Sequence, residues 1–98
     1  MPVVVRYQTK AERSEENQAL IRQVFDDLEH RQPEGFTYKV FLLEDGVSFI
    51  HVMIEHEDVA NPDSLNDVPG FQAFTAGIAD RCEVQPVASA ASVVGGYR

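Results

Sequence analysis

The sequence predicts an α+β protein in which two amphipathic helices cover one face of a four-stranded antiparallel sheet. Three observations carry this. Phe36 to Glu55, FTYKVFLLEDGVSFIHVMIE, reads as two strands rich in β-branched and aromatic residues, joined at Asp45-Gly46, a dipeptide suited to the positive φ of a tight turn. Two other stretches carry apolar residues at helical rather than strand spacing. Short β-branched segments lie before the first of these and after the second, which gives the order β-α-β-β-α-β.

The first strand is expected at Val3 to Gln8. From Thr9 to Arg31 the period changes: Leu20, Ile21, Val24, Phe25 and Leu28 form a stripe opposite Glu15, Glu16, Arg22, Asp26 and Glu29. Thr9 and Glu12 have capping-box spacing, which would start the helix near Lys10, with Ser14 as the later alternative. Pro33 and Gly35 end it. The polar run His56 to Asp63 is a loop. Leu65, Val68, Phe71, Phe74 and Ile78 make the second stripe, to about Arg81, with the well-formed helix starting at Val68 or Pro69 because proline is tolerated in a first turn. Glu83 to Pro86 is expected as a connector and Val87 to Val94 as the last strand.

Two βαβ crossovers around a central hairpin make a ferredoxin-like sandwich. Both faces of the hairpin are apolar, whereas a sheet covered on one side only usually alternates. The helix-covered face is assigned Val3, Val5, Tyr38, Val40, Ile50, Val52 and Ile54. The other face then holds Val4, Arg6, Gln8, Thr37, Lys39, Phe41, Phe49, His51 and Met53, and is expected to be buried against a second copy. This assignment pairs Phe41 with Phe49. A strict two-residue turn would pair Glu44 with Val47 and move His51 to the face of Val40.

The 98 residues are long enough for one domain, spanning 1–98. A formal net charge of −8 argues against a nucleic-acid partner, and scattered Arg and Lys make no membrane-binding face. The segment Met1 to Arg6 lacks the regions of a signal peptide, no apolar stretch approaches membrane-spanning length, and a cytoplasmic location is expected. The lone Cys82 provides neither a disulfide framework nor a cysteine zinc site.

The chain resembles the antibiotic-biosynthesis-monooxygenase-like group of the dimeric α/β-barrel superfamily. The resemblance covers nearly the whole chain and rests on its length, its element order, and the segments Leu43 to Val52 (LEDGVSFIHV) and Pro69 to Phe74 (PGFQAF). It implies a homodimer in which two sheets pack face to face as a barrel, each protomer holding a pocket. It also implies a range of activities, including cofactor-independent oxygenation of polycyclic phenols and haem degradation. Haem-degrading relatives carry an Asn on the first strand and a Trp and a His on the second helix. This chain has no Trp; with Phe71 aligned to their helix phenylalanine, Leu65 and Thr75 stand where their Trp and His would be. No haem or other cofactor is expected.

His51 is the candidate general base, because a buried neutral imidazole can take a proton near pH 7. The alternative is a structural histidine bonded to Tyr38, a backbone carbonyl or a partner chain. Arg6 or Lys39 could stabilise developing charge or bind an anion, or pair with an acidic residue across a dimer interface. Tyr7, Tyr38 or Gln8 could orient a phenol or carbonyl, with Phe49, Met53, Phe71 and Phe74 as apolar walls; the last two serve equally as core. The expected ligand is small and apolar or phenolic. No metal site is expected: His51 and Glu55 share a face but lie about 13 Å apart, and His30 and His56 read as solvated. Cys82, although next to Arg81, reads as passive.

Overall fold

β1 (Val3–Thr9) runs at the middle of the sheet, because its β-branched residues alternate between two partly covered faces. The computed structural model describes residues 2–98. β2 (Phe36–Leu42) and β3 (Ser48–Glu55) form the hairpin, and β4 (Cys82–Ala90) closes the far edge, giving the order β2-β3-β1-β4 with every neighbouring pair antiparallel. This is the ferredoxin-like order the element sequence implies.

The hairpin turn has Leu43 N–H donating to the Ser48 carbonyl (2.9 Å) and Gly46 N–H to the Leu43 carbonyl (3.0 Å). Gly46 takes a φ of 77°, open to glycine at no steric cost. The Asp45 carboxylate accepts from the backbone N–H of Val47 (3.0 Å) and Ser48 (2.9 Å). The turn therefore pairs Val40 with His51 and Phe41 with Ile50. That is the register of a strict Asp45-Gly46 turn, and it corrects the Phe41–Phe49 pairing. Because a side chain changes face with each residue, the one-residue slip inverts all of β3. Phe49, His51 and Met53 point to the helices; Ile50, Val52 and Ile54 point away. The assignments in β1 and β2 stand: Val3, Val5, Tyr38 and Val40 lie on the helix side, and Arg6, Lys39 and Phe41 on the other.

α1 (Ser14–Arg31) follows a 3₁₀ turn at Ala11–Arg13, so the later start is the right one. The Thr9–Glu12 capping box does not form: the Thr9 hydroxyl lies 3.5 Å from the Val47 carbonyl instead. Ser14 Oγ donates to the Gly46 carbonyl (2.5 Å), tying the helix start to the hairpin turn. The helix ends at Arg31, with Gln32 in the left-handed region (φ 47°) and its N–H on the Leu28 carbonyl.

α2 (Pro69–Ala76) begins with proline at its first position. Gly70 lets it cross α1 closely: a Cβ there would lie 2.9 Å from the Gln23 carbonyl and 3.1 Å from Val24 Cα. The helix stops at Gly77, and a short α3 (Ile78–Arg81) carries Arg81 into the core. β4 starts at once, earlier than the expected Val87, and passes through Pro86. A register shift against β1 between Arg6 and Gln8 accommodates the proline, as edge strands allow. The strand ends at Ala90 rather than Val94.

The core lies between the sheet and the helices, around Tyr7, Val24, Phe49, Val68 and Phe74. The opposite face presents Phe41, Val84 and Val87, each about half exposed or more. No helix among the described residues is long and apolar enough to cross a membrane.

Candidate functional site

Between the sheet on one side and α2 with the loop before it on the other lies a cavity of about 460 Å³, to which α1 contributes no lining residue. That volume falls within the range of small-molecule sites. Val5, Tyr38, His51 and Met53 form its floor, Phe71 and Phe74 its roof, and Glu55, Asp63 and Asn66 bring polar atoms to its wall. Its interior is apolar and largely aromatic. Phe71 packs edge-on to Tyr38 (6.3 Å between ring centroids), and Phe74 lies 5.2 Å from the His51 ring.

On the floor, a buried polar group interrupts the apolar surface. His51 is 6% exposed, and both of its ring nitrogens meet tyrosine hydroxyls: Nδ1 is 2.7 Å from Tyr38 and Nε2 is 2.8 Å from Tyr7. The chain continues inward, with Asn17 Nδ2 donating to the Tyr7 hydroxyl (2.9 Å) and Arg81 Nε donating to Asn17 Oδ1 (3.0 Å). Arg81 Nη2 donates to the Phe74 carbonyl (2.6 Å), and the guanidinium lies 5.2 Å from the Phe74 ring centroid. Among the described residues no buried side-chain nitrogen or oxygen lacks a partner.

Burial disfavours charge throughout this chain. It pushes the His51 imidazole down to about 4, so the ring is neutral at pH 7, and holds the hydroxyls of Tyr7 and Tyr38 well above the ordinary phenol range. A neutral imidazole has one N–H and one lone pair. One tyrosine therefore donates to it and the other accepts from it, and neither nitrogen is free to meet a ligand directly. Among the described residues, the Tyr38 hydroxyl has no protein partner other than His51.

The structure divides the site residues expected from sequence. Tyr38, His51, Met53, Phe71 and Phe74 line the cavity together. Phe49 is 1% exposed in the core, stacked on Tyr7, and is not on the wall. Arg6, Gln8 and Lys39 lie on the opposite face of the sheet and do not reach the cavity. Charge stabilisation in this cavity by Arg6 or Lys39 is thereby corrected. Cys82 is buried and its thiol is pushed up by desolvation, with Arg81 only partly opposing this. His30 contacts its own helix carbonyl at Asp26 and His56 the Thr37 hydroxyl, both at the surface. Among the described residues no three His, Cys, Asp or Glu side chains converge as a metal site would require.

Asn17 and Arg81 were not among the expected site residues, though each leaves a mark in the sequence. Asn17 precedes Ile21, Val24 and Leu28 at helical spacing; Arg81 has that spacing from Phe74 and Ile78, but across the break at Gly77, so the stripe does not by itself bury it. A polar side chain in line with an apolar stripe is buried unless the helix ends first.

Fold and site together define a ferredoxin-like α+β protein with an apolar cavity that ends on a tyrosine–histidine hydrogen-bond chain. No protein-family model and no curated protein sequence matches the chain. Solved structures do. Rv0793 from Mycobacterium tuberculosis superposes with a TM-score of 0.73 at 13% identity, over 99% of this chain and 97% of that one. A structure described as an antibiotic biosynthesis monooxygenase gives 0.71 at 18% identity, over 96% and 98%. A conserved protein from Methanosarcina mazei gives 0.65 at 16%, over 90% and 86%. At these identities the likeness shows a shared fold.

Proposed function

We propose that this protein belongs to the antibiotic-biosynthesis-monooxygenase-like group and oxygenates a ring-containing phenolic or quinone-like metabolite without a cofactor. The observation that carries this reading is the Tyr38 hydroxyl, set among the aromatic side chains of a mainly apolar cavity of ligand size and backed by His51 at 2.7 Å. The rings of Phe71 and Phe74 suit a flat polycycle, whose oxygen would meet Tyr38. Ionisation of a phenol makes its ring electron-rich enough to react with O2, and the charge on its oxygen is stabilised by a hydrogen bond from Tyr38. One oxygen atom ends as a ring carbonyl; the other leaves as water with the C–H hydrogen of the ring and one proton returned by solvent. The phenol binds as its anion, its proton left to solvent; His51 orients Tyr38 rather than taking that proton, because burial lowers the imidazole to about 4 and both of its nitrogens are taken.

A second reading is favoured by that same occupancy: a binding module that holds the ligand without turning it over. Either protein would pair as a homodimer through the open sheet face, closing a barrel over Phe41, Ile50, Val52 and Val87.

One experiment separates the readings. Anthrone and 1,4-naphthoquinone are titrated while the Met53 methyl resonance and O2 uptake are followed. A shifted Met53 signal with protein-dependent O2 uptake on anthrone, lost in Tyr38→Phe, supports the oxygenase. A shift without uptake leaves the binding module. No shift with either compound sinks both.

A further inference from the structure

The inner end of the hydrogen-bond chain determines the direction in which its outer end points. A guanidinium only donates. Arg81 Nε lies 3.0 Å from the Asn17 amide, so the amide oxygen must face Arg81 and the NH2 group must face Tyr7. An amide NH2 also only donates, so the Tyr7 oxygen accepts at 2.9 Å. Tyr7 is buried, and its remaining partner is His51 Nε2. Its proton has one acceptor, which is that nitrogen. The neutral imidazole then carries its own proton on Nδ1 and donates it to the Tyr38 oxygen. Among the described residues the Tyr38 proton then has no protein acceptor, and it lies on the cavity wall.

We infer that Asn17 and Arg81 are positioning residues that hold His51 as the Nδ1–H tautomer and thereby make Tyr38 a hydrogen-bond donor to the occupant of the cavity. The site selects ligands that present an acceptor oxygen (a quinone, ketone or phenolate) over ligands whose oxygen must donate. The tautomer assignment stands on the hydrogen-bond chain alone; the ligand preference rests on the function proposed above. The opposite polarity would leave the Tyr7 O–H buried without an acceptor.

The test is the tautomer itself, read by long-range 1H–15N correlation on histidine-labelled protein, with the His51 signals identified by their loss in His51→Gln. Wild type is expected to carry the proton on Nδ1; a proton on Nε2 overturns the inference. Asn17→Asp places an acceptor-only group between Arg81 and Tyr7. The Tyr7 proton turns to the new carboxylate, Nε2 becomes the protonated nitrogen, and Tyr38 donates to Nδ1. The tautomer is expected to reverse, and binding of 1,4-naphthoquinone, read at Met53, to weaken about tenfold. An unchanged tautomer in a folded variant overturns the assignment. Should that variant not fold, Tyr38→Phe on the cavity wall decides: the proton stays on Nδ1 if the Tyr7 side sets it, and a move to Nε2 overturns the inference. An Nδ1–H wild type that binds no quinone overturns the ligand preference and leaves the tautomer assignment intact.

Discussion

Val40 and His51 face each other across the β2–β3 hairpin, and this pairing decides where the imidazole points. With Val40 on the helix side, His51 joins it there, beside the cavity and between two tyrosines. One residue of slip would have turned the ring to the open sheet face and put Ile50 or Val52 in its place.

The same pairing makes Phe49 a core residue of the protomer. Its ring stacks on Tyr7 at 5.4 Å between centroids, and it is 1% exposed. Phe49→Ala is expected to cost about 3–5 kcal/mol of protomer stability. Chemical denaturation measures it; a cost near zero would mean that Phe49 is not packed as described.

Assembly is expected to depend on Phe41 instead, which is 50% exposed on the open face. Phe41→Asp puts a carboxylate where two sheets would meet, and desolvating an unpaired charge is costly. Light scattering should give twice the 11.0 kDa chain mass for wild type and the single-chain mass for the variant, with the circular dichroism of the fold retained. A wild-type chain that is monomeric at micromolar concentration rules out the proposed dimer.

Stability should fall as the solution is acidified through the range between an ordinary histidine and His51. Burial lowers His51 from 6.5 to about 4, so between those values the unfolded chain binds a proton there that the folded chain refuses. Stability is therefore full above about pH 6.5, declines as pH falls toward 4, and loses up to about 3 kcal/mol from this group. Asp45 and Glu16, whose carboxyls are held down by Ser48 and Arg13, add losses only at the acid end of that range. Urea unfolding at several pH values, compared with His51→Gln, isolates the histidine contribution. Parallel pH profiles for the two proteins would contradict it.

The crossing of α1 and α2 has no room at Gly70. Its N–H donates to Asp27 Oδ2 at 2.6 Å, and an added Cβ would lie 2.8 Å from that oxygen. Gly70→Ala is expected to destabilise by about 1–3 kcal/mol through overpacking. At roughly 4–8 °C per kcal/mol for a domain of this size, thermal melting resolves the effect. Gly95→Ala, where nothing lies within 4 Å, is the control and should melt unchanged.

The element order, both helices and the hairpin are legible in the chain alone. These follow from local signals: apolar residues repeating at 3.6 or 2, a proline admitted only at a helix start, and Asp45-Gly46 in a turn. The chain also singled out His51, Tyr38, Met53, Phe71 and Phe74, because large or titratable side chains on covered elements must meet something. The face that β3 shows is not legible in this way. Both faces of that strand are apolar, so the pattern does not distinguish two registers, and the turn's hydrogen bonds choose between them. Tertiary structure likewise joined Tyr7, Asn17 and Arg81 to His51. These residues are up to 74 positions apart, and only the packing of α1 and the break at Gly77 bring them within hydrogen-bonding distance. Periodicity reports whether a side chain is buried; it carries no information about which other buried polar group it will meet.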